Sequence, residues 1–234
     1  MKHLIIGDLH GRDCWEDIDM KKYDKVVFLG DYVDSFTLPD DTIYNNLNNL
    51  IKLKMRYWNR LILLLGNHDV QYRYFPRYQI KGFRPSMQQR LTGLFYRYWG
   101  CFKMAYQCGD HIFTHAGITN AWYDDFLRSP VLSQIDPGKL DVAGIINTVA
   151  GMVNPMDRYL LYAEGIYRGV PGDMGNGSPI WADRKETMFD MLHGYHQVVG
   201  HTRVPEPETV RFTDRSVTYI DVLDHLTYFH EVEC

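Results

Sequence analysis

The chain has 234 residues, 45% of them hydrophobic and 23% charged, enough to bury a sizeable core within one domain. A formal net charge of -4 offers no global pull toward nucleic acid or an anionic membrane, so an anionic substrate must be drawn in locally, by metals or a few arginines. Four cysteines without CxxC or framework spacing fit reduced thiols in a cytoplasmic protein, and no run approaches the roughly 20 apolar residues of a membrane helix.

The apolar run in MKHLIIG is too short for a secretory leader, which needs about 7–15 apolar residues, and predicts a first β-strand over 2–6. A short amphipathic segment follows at 14–23, then a strand at 25–29 (KVVFL). A longer helix is expected from Pro39, with Ile43, Leu47, Leu50 and Ile51 on one stripe. Asp40 and Asp41 complement its amino end, and Lys52, Lys54 and Arg56 its carboxyl end. RLILLL (60–65) is a third buried strand, and this alternation predicts a sheet with crossover helices. FKMAYQ and HIFTHA (102–107 and 111–116) flank a Cys-Gly-Asp turn as a hairpin. Residues 119–163 are expected to be mainly helical and 164–185 a glycine-rich loop. HQVVGHT (196–202) is a further strand, and the tail from 209 alternates apolar and polar residues in short β-runs.

Five of these strands close on a candidate metal ligand. They are LIIG-Asp8-Leu-His10, VFLG-Asp31-Tyr-Val-Asp34, LLLG-Asn67-His68-Asp69, IFT-His115 and VVG-His201. Open α/β sheets gather ligands beyond the carboxyl ends of their strands. A glycine beside each ligating residue lets the backbone turn tightly. Asp, His and Asn donors suit manganese, iron or zinc. Two such ions about 3.5–4 Å apart, sharing one carboxylate, form the clamp used for in-line displacement at phosphorus. The remaining histidines, His3, His111, His193, His196, His225 and His230, carry no such pattern and are expected to be structural or superficial.

GDLHG, GDYVD, GNHD, THAG and GHT, in this order over residues 6–202, resemble the calcineurin-like metallophosphoesterase superfamily. Within it the chain is most similar to the phosphoprotein phosphatase branch that includes phage lambda phosphatase. The resemblance implies an α/β (α+β) fold: a central mixed β-sandwich flanked by helices in four layers, the dimetal site at the strand carboxyl edge. It implies one domain over 1–234, with a helical and loop insert at about 117–185 forming part of the substrate groove. By the same resemblance Asp8 and His10 hold the first divalent metal, Asp31 bridges both, and Asn67, His115 and His201 complete the second. Two ions, manganese foremost with iron or zinc as alternatives, hold a hydroxide for in-line attack. His68 is the implied general acid, oriented by Asp34.

Two departures refine the expectation. The arginine with which the family continues GDxxD, to grip phosphate, is Ser35 here. Arg168 and Arg184 in the loop before the last motif are candidate replacements, with Arg168 favoured and Arg73 and Arg203 behind them. The second histidine of the GHxH form, which serves the first metal, is missing from His201-Thr202-Arg203; this weighs toward monoesterases and against the nuclease branch. The aromatic and basic segment 72–84 (YRYFPRYQIKGFR) is expected either to anchor itself on the domain or to wall the groove. The expected activity is therefore hydrolysis of phosphomonoesters, on a phosphoprotein such as one carrying phosphoserine or phosphothreonine, or on a small phosphoester. The rivals are a nucleotide-directed hydrolase resembling the symmetrical diadenosine tetraphosphate hydrolases, a phosphodiesterase, and a non-catalytic binding module on the same fold. Neither nucleic acid nor membrane is an expected partner.

Overall fold

The computed structural model describes residues 1–152, 160–169 and 175–234. Parts of the expected helical stretch (153–159) and of the glycine-rich loop (170–174) lie outside the described residues. Among the described residues, ten strands form two five-stranded sheets. The first has β1 (Lys2–Ile6), β2 (Lys25–Phe28), β3 (Leu61–Leu64) and β4 (Phe102–Lys103) running parallel, with β10 (His230–Glu233) antiparallel beside β1. The second has β5 (Ala105–Cys108), β6 (His111–Thr114), β7 (His196–Arg203), β9 (Ser216–Asp221) and β8 (Glu208–Arg211) in that spatial order, with β6, β7 and β9 parallel.

Period-two alternation explains why the first strands look continuously apolar. Ile5, Val27, Leu29, Ile62 and Leu64 face inward to meet Phe113, Val198 and Ile220 of the second sheet. Their neighbours Leu4, Ile6, Val26, Phe28, Leu61 and Leu63 pack the opposite way, into the cluster that holds the helices. Full burial of each such side chain contributes about 1.5–3 kcal/mol, so apolar contact on both faces is the main force joining sheet to sheet and sheet to helix. Helix α1 (Asp40–Arg56) begins after Pro39 and buries Ile43, Leu47, Leu50 and Ile51 in that outer cluster. Helices α2 (Asn67–Arg73) and α3 (Gln88–Tyr98) follow β3, and α4 (Asn120–Arg128), α5 (Val142–Gly151) and α6 (Arg184–Asp190) accompany the second sheet.

Three local expectations change. Residues 14–23 form turns and a short 3-10 stretch at Met20–Lys22 instead of an amphipathic helix, pinned by Trp15, Met20 and Tyr23 in the core. FKMAYQ is not one strand: it breaks at Met104, giving β4 to the first sheet and β5 to the second. Asn147 of α5 holds that break, its Oδ1 accepting from the N–H groups of Met104 (2.9 Å) and Ala105 (3.2 Å) while its Nδ2 donates to the Ala105 carbonyl (2.8 Å). Helices α2 and α3 were not expected, because polar and aromatic residues obscure their short apolar stripes. No helix among the described residues is long and apolar enough to cross a membrane.

Candidate active site

The carboxyl ends of the parallel strands converge on one edge of the sandwich. Among the described residues, the non-glycine positions with positive φ are His10 (45°), Asp31 (51°), Asp34 (65°) and His201 (65°). All four are motif residues. Such left-handed backbone is costly for residues with a Cβ and persists where surrounding contacts over-determine it. Those contacts are visible. The His10 N–H donates to the Asp31 carbonyl (2.7 Å) and the Gly200 N–H to the His115 carbonyl (2.8 Å). The His68 N–H reaches Asp31 Oδ1 (3.0 Å), and the His201 N–H meets both oxygens of Asp8 (3.1 and 3.0 Å).

At two glycines the approach is tightest. A Cβ on Gly200 would fall 1.9 Å from Asp8 Oδ1, and one on Gly66 would fall 2.0 Å from Asp31 Oδ1. Asp69 is the clasp of the second and third motifs. Its carboxylate accepts from the N–H groups of Asp31 (2.9 Å), Gly66 (2.9 Å) and Tyr32 (3.0 Å), locking the Asp31 loop to the start of α2. It was visible in GNHD but had no assigned role.

Two groups of side chains are compact enough to hold an ion, Asp8–His10–Asp31 and Asp31–His115–His201, and they share Asp31. Asn67 joins the second, its Oδ1 lying 3.1 Å from both His115 Nε2 and His201 Nδ1. The imidazoles are oriented from behind. His10 Nδ1 donates to the Val33 carbonyl (2.7 Å) and His115 Nδ1 to the Leu29 carbonyl (3.0 Å), leaving each Nε2 lone pair turned to the site. Burial pushes His10 down to about 4, against the pull of Asp31, and burial with His115 and Arg168 nearby keeps His201 well below its usual value. Neutral imidazoles are what a metal needs. Burial resists ionisation of Asp31, yet His115 and His68 outweigh it and hold its carboxyl below the usual range. Burial, with Asp221 and Asp31 close by, raises Asp8 well above its usual value, and burial with Asp31 raises Asp221 to about 6. Buried carboxylates crowded in this way fit a cationic occupant.

His68 stands across the site. Its Nε2 is 4.0 Å from Asp31 Oδ2, and its Nδ1 is 2.9 Å from Asp34 Oδ2. Asp34 also accepts from Gln71 Nε2 and from the Tyr72 hydroxyl, so three donors fix the carboxylate that fixes the imidazole. Burial disfavours the imidazolium, but Asp31, Asp34 and Asp69 prevail and raise His68 to about 9. A histidine held protonated near neutral pH is a proton donor.

An open cavity of about 380 Å³ covers these residues; Asp8, His10, Asp31, Asn67, His68 and His201 line it with Asp221, Arg168, Arg203, Lys81, Phe36, Ile80 and Trp181. Arg168 lies at the cavity, its Nε on Asp183 (3.0 Å) and its Nη2 on Thr202 Oγ1 (2.7 Å). Arg184 does not: both oxygens of Glu208 hold its Nη2 at 2.6 Å, and its guanidinium lies against Tyr219. Arg73 packs on Tyr96, 3.6 Å from the ring centroid, away from the cavity. The 72–84 segment both anchors and walls: Tyr72 stacks on Phe83 and Tyr74 meets Tyr162, while Ile80 and Lys81 face the cavity. Lys81 and Asp221 escaped the motif reading, though Asp221 closes the apolar run SVTYI as the candidate ligands close theirs.

Among curated proteins, none matches the sequence. Among solved structures, the cold-active protein-tyrosine phosphatase of a psychrophilic Shewanella species is similar over 94% of this chain and 70% of that one, with TM-score 0.55 and 15% identity. Another structure of a cold-active protein tyrosine phosphatase is similar over 92% and 68%, with TM-score 0.52 and 15% identity. A protein serine/threonine phosphatase of Saccharomyces cerevisiae is similar over 94% and 67%, with TM-score 0.49 and 16% identity. At such identities the first two likenesses concern the fold. The model of the calcineurin-like phosphoesterases matches residues 1–222, nearly the whole sequence whose motifs meet at this cavity, and the chain belongs to that family.

Proposed function

We propose that this phosphoesterase is a metal-dependent phosphatase of phosphomonoesters, including phosphoserine or phosphothreonine in proteins. The carrying observation is the pair of ion-sized groups joined at Asp31, with His68 facing them and backed by Asp34. Asp8, His10 and Asp31 would hold one divalent ion, and Asp31, Asn67, His115 and His201 the other. Manganese suits this mixed oxygen and nitrogen set, as do iron and zinc. A bound pair supplies Lewis acidity and brings the pKa of a water to near 7.

The chain's own residues do the rest. Asp34 orients the His68 imidazole, and His68 delivers a proton to the departing ester oxygen. Arg168, already held toward the cavity by Asp183 and Thr202, grips the phosphate in place of the arginine that Ser35 replaces, and Lys81 and Arg203 add positive charge to the same wall. Arg168 and Trp181 belong to the stretch at about 117–185, which in this reading is an insert of a single domain and one side of the groove. The free thiols fit a cytoplasmic setting.

A hydrolysis panel with added manganese tests this: phosphopeptides, p-nitrophenyl phosphate, bis-p-nitrophenyl phosphate and dinucleoside polyphosphates. Release of phosphate from phosphopeptides supports the reading. A preference for the diester or the dinucleotide overturns the substrate class.

A further inference from the structure

Strand β9 also ends at the cavity, and it ends on Asp221. This carboxylate is 4% exposed and lines the cavity with Asp8, His10 and Asp31. Its situation differs from that of its neighbours. Asp8 accepts from the His201 N–H, Asp31 from the His68 N–H, and Asp34 from three side chains. No hydrogen-bond donor or ion-pair partner reaches the Asp221 carboxylate among the described residues. Burying an unpaired carboxylate is costly, and native structures rarely leave one unless a ligand compensates it.

The register shows where it stands. β7 and β9 are parallel neighbours, and Arg203 pairs with Asp221 after a shift in register between Val199 and Arg203. Asp221 therefore flanks His201-Thr202-Arg203, the stretch with no second histidine. The side chains of that stretch are otherwise engaged: Thr202 accepts from Arg168, and Arg203 pairs with Asp224 at 3.4 Å. The Asp8–His10–Asp31 group is left with three side chains and one uncommitted carboxylate beside it.

We propose that Asp221 is the supporting carboxylate of the first-metal site, its charge holding the cation that Asp8, His10 and Asp31 ligate. The proposal rests on the two-metal reading above. Three carboxylates and one imidazole make this site harder and more anionic than the Asn67–His115–His201 side, so the two halves differ in ion preference. The first favours manganese or magnesium, and the second tolerates zinc.

The experiment is manganese titration of the whole chain by calorimetry, with electron paramagnetic resonance to tell coupled pairs from single ions. Wild type should bind two ions and give a spin-coupled spectrum. Asp221→Asn should bind the first-site ion 10- to 100-fold more weakly, the usual loss when a ligand or its supporting carboxylate is removed, and show a single-ion spectrum at limiting manganese. Asp221→Ala should lose the same affinity. Metal-free Asp221→Asn should melt no lower than metal-free wild type, because the amide relieves repulsion among buried carboxylates. Two ions bound by Asp221→Asn with wild-type affinities would overturn the proposal and leave the two-metal reading standing. A lower metal-free melting temperature with unchanged affinity would assign Asp221 a structural role and also overturn it. Wild type that binds no ion pair would sink the underlying reading itself.

Discussion

His196 and His201 lie on the same strand, five residues apart, and their surroundings are opposite in kind. His196, at the start of β7, pairs its Nδ1 with Ser216 Oγ at 2.9 Å. His3, near the start of β1, is fully buried yet has both ring nitrogens engaged, by the Met1 carbonyl (3.1 Å) and the Tyr106 hydroxyl (3.1 Å). At the carboxyl ends of these strands His10, His115 and His201 each bring one ring nitrogen to the ion-sized groups. His10 spends Nδ1 on a carbonyl and turns Nε2 to the cavity; His115 spends Nδ1 on a carbonyl and brings Nε2 to Asn67 Oδ1, which His201 Nδ1 also faces. What separates a candidate metal-holding histidine from a structural one here is what its ring nitrogens face, not burial. His3 makes the point sharply. It forms a group with Cys108 and Cys234 tight enough for an ion, but its own nitrogens are already committed.

The hardest test of that contrast is Asp31→Asn, which weakens the one side chain common to both ion groups. Loss of at least one ion per chain and near-complete loss of turnover is expected, with the fold retained. Elemental analysis finding two ions, together with normal turnover, would remove the bridging role.

His68→Ala should keep both ions and lose about 10²–10⁴ in turnover on alkyl phosphates, whose leaving oxygen needs a proton. The loss on p-nitrophenyl phosphate should be much smaller, because its leaving group is weakly basic. The acid must be protonated, so wild-type turnover on alkyl phosphates should fall as pH rises through the pKa of His68, and this alkaline limb should vanish in the variant. Equal losses on both substrates would end the proton-donor assignment. The same group carries a stability signature in the metal-free protein. Its folded pKa is raised from 6.5 to about 9, so its contribution is fully present below pH 6.5 and lost as pH climbs through about 9. Melting curves across that range should show the decline in wild type and not in His68→Ala.

Arg168→Ala should reduce phosphate inhibition by about 10- to 150-fold, equivalent to one charge-assisted contact of roughly 1.5–3 kcal/mol, with metal content unchanged. If inhibition is unaffected, the grip passes to Lys81 or Arg203, which share the cavity wall. The smallest effect belongs to the other end of β7. His196→Ala removes one hydrogen bond, worth roughly 0.5–1.5 kcal/mol of stability, and should leave ion binding and turnover alone. A change in metal content there would erase the contrast drawn between His196 and His201.

Local pattern by itself determined the strands over 2–6, 25–28, 61–64 and 196–203 and helix α1, because their apolar spacing already states which faces are buried. It also marked the candidate ligands at the strand ends, where Asp, His and Asn stand beside glycine. Tertiary structure alone decided matters that depend on distant partners. Arg168 and Arg184 are equivalent as loop arginines, and only the closing of β8 places Glu208 against Arg184 while Thr202 and Asp183 steer Arg168 to the cavity. Residues 14–23 have a helix-like pattern, yet Trp15, Met20 and Tyr23 gain more by inserting into the core through turns. Met104 breaks its strand because Asn147, more than 40 residues away, satisfies the backbone at the crossing between sheets. Asp221 follows the same rule: a carboxylate after an apolar strand is ordinary in sequence. Only the pairing of β9 with β7 buries it unpartnered beside Asp8 and Asp31, where its charge asks for a cation.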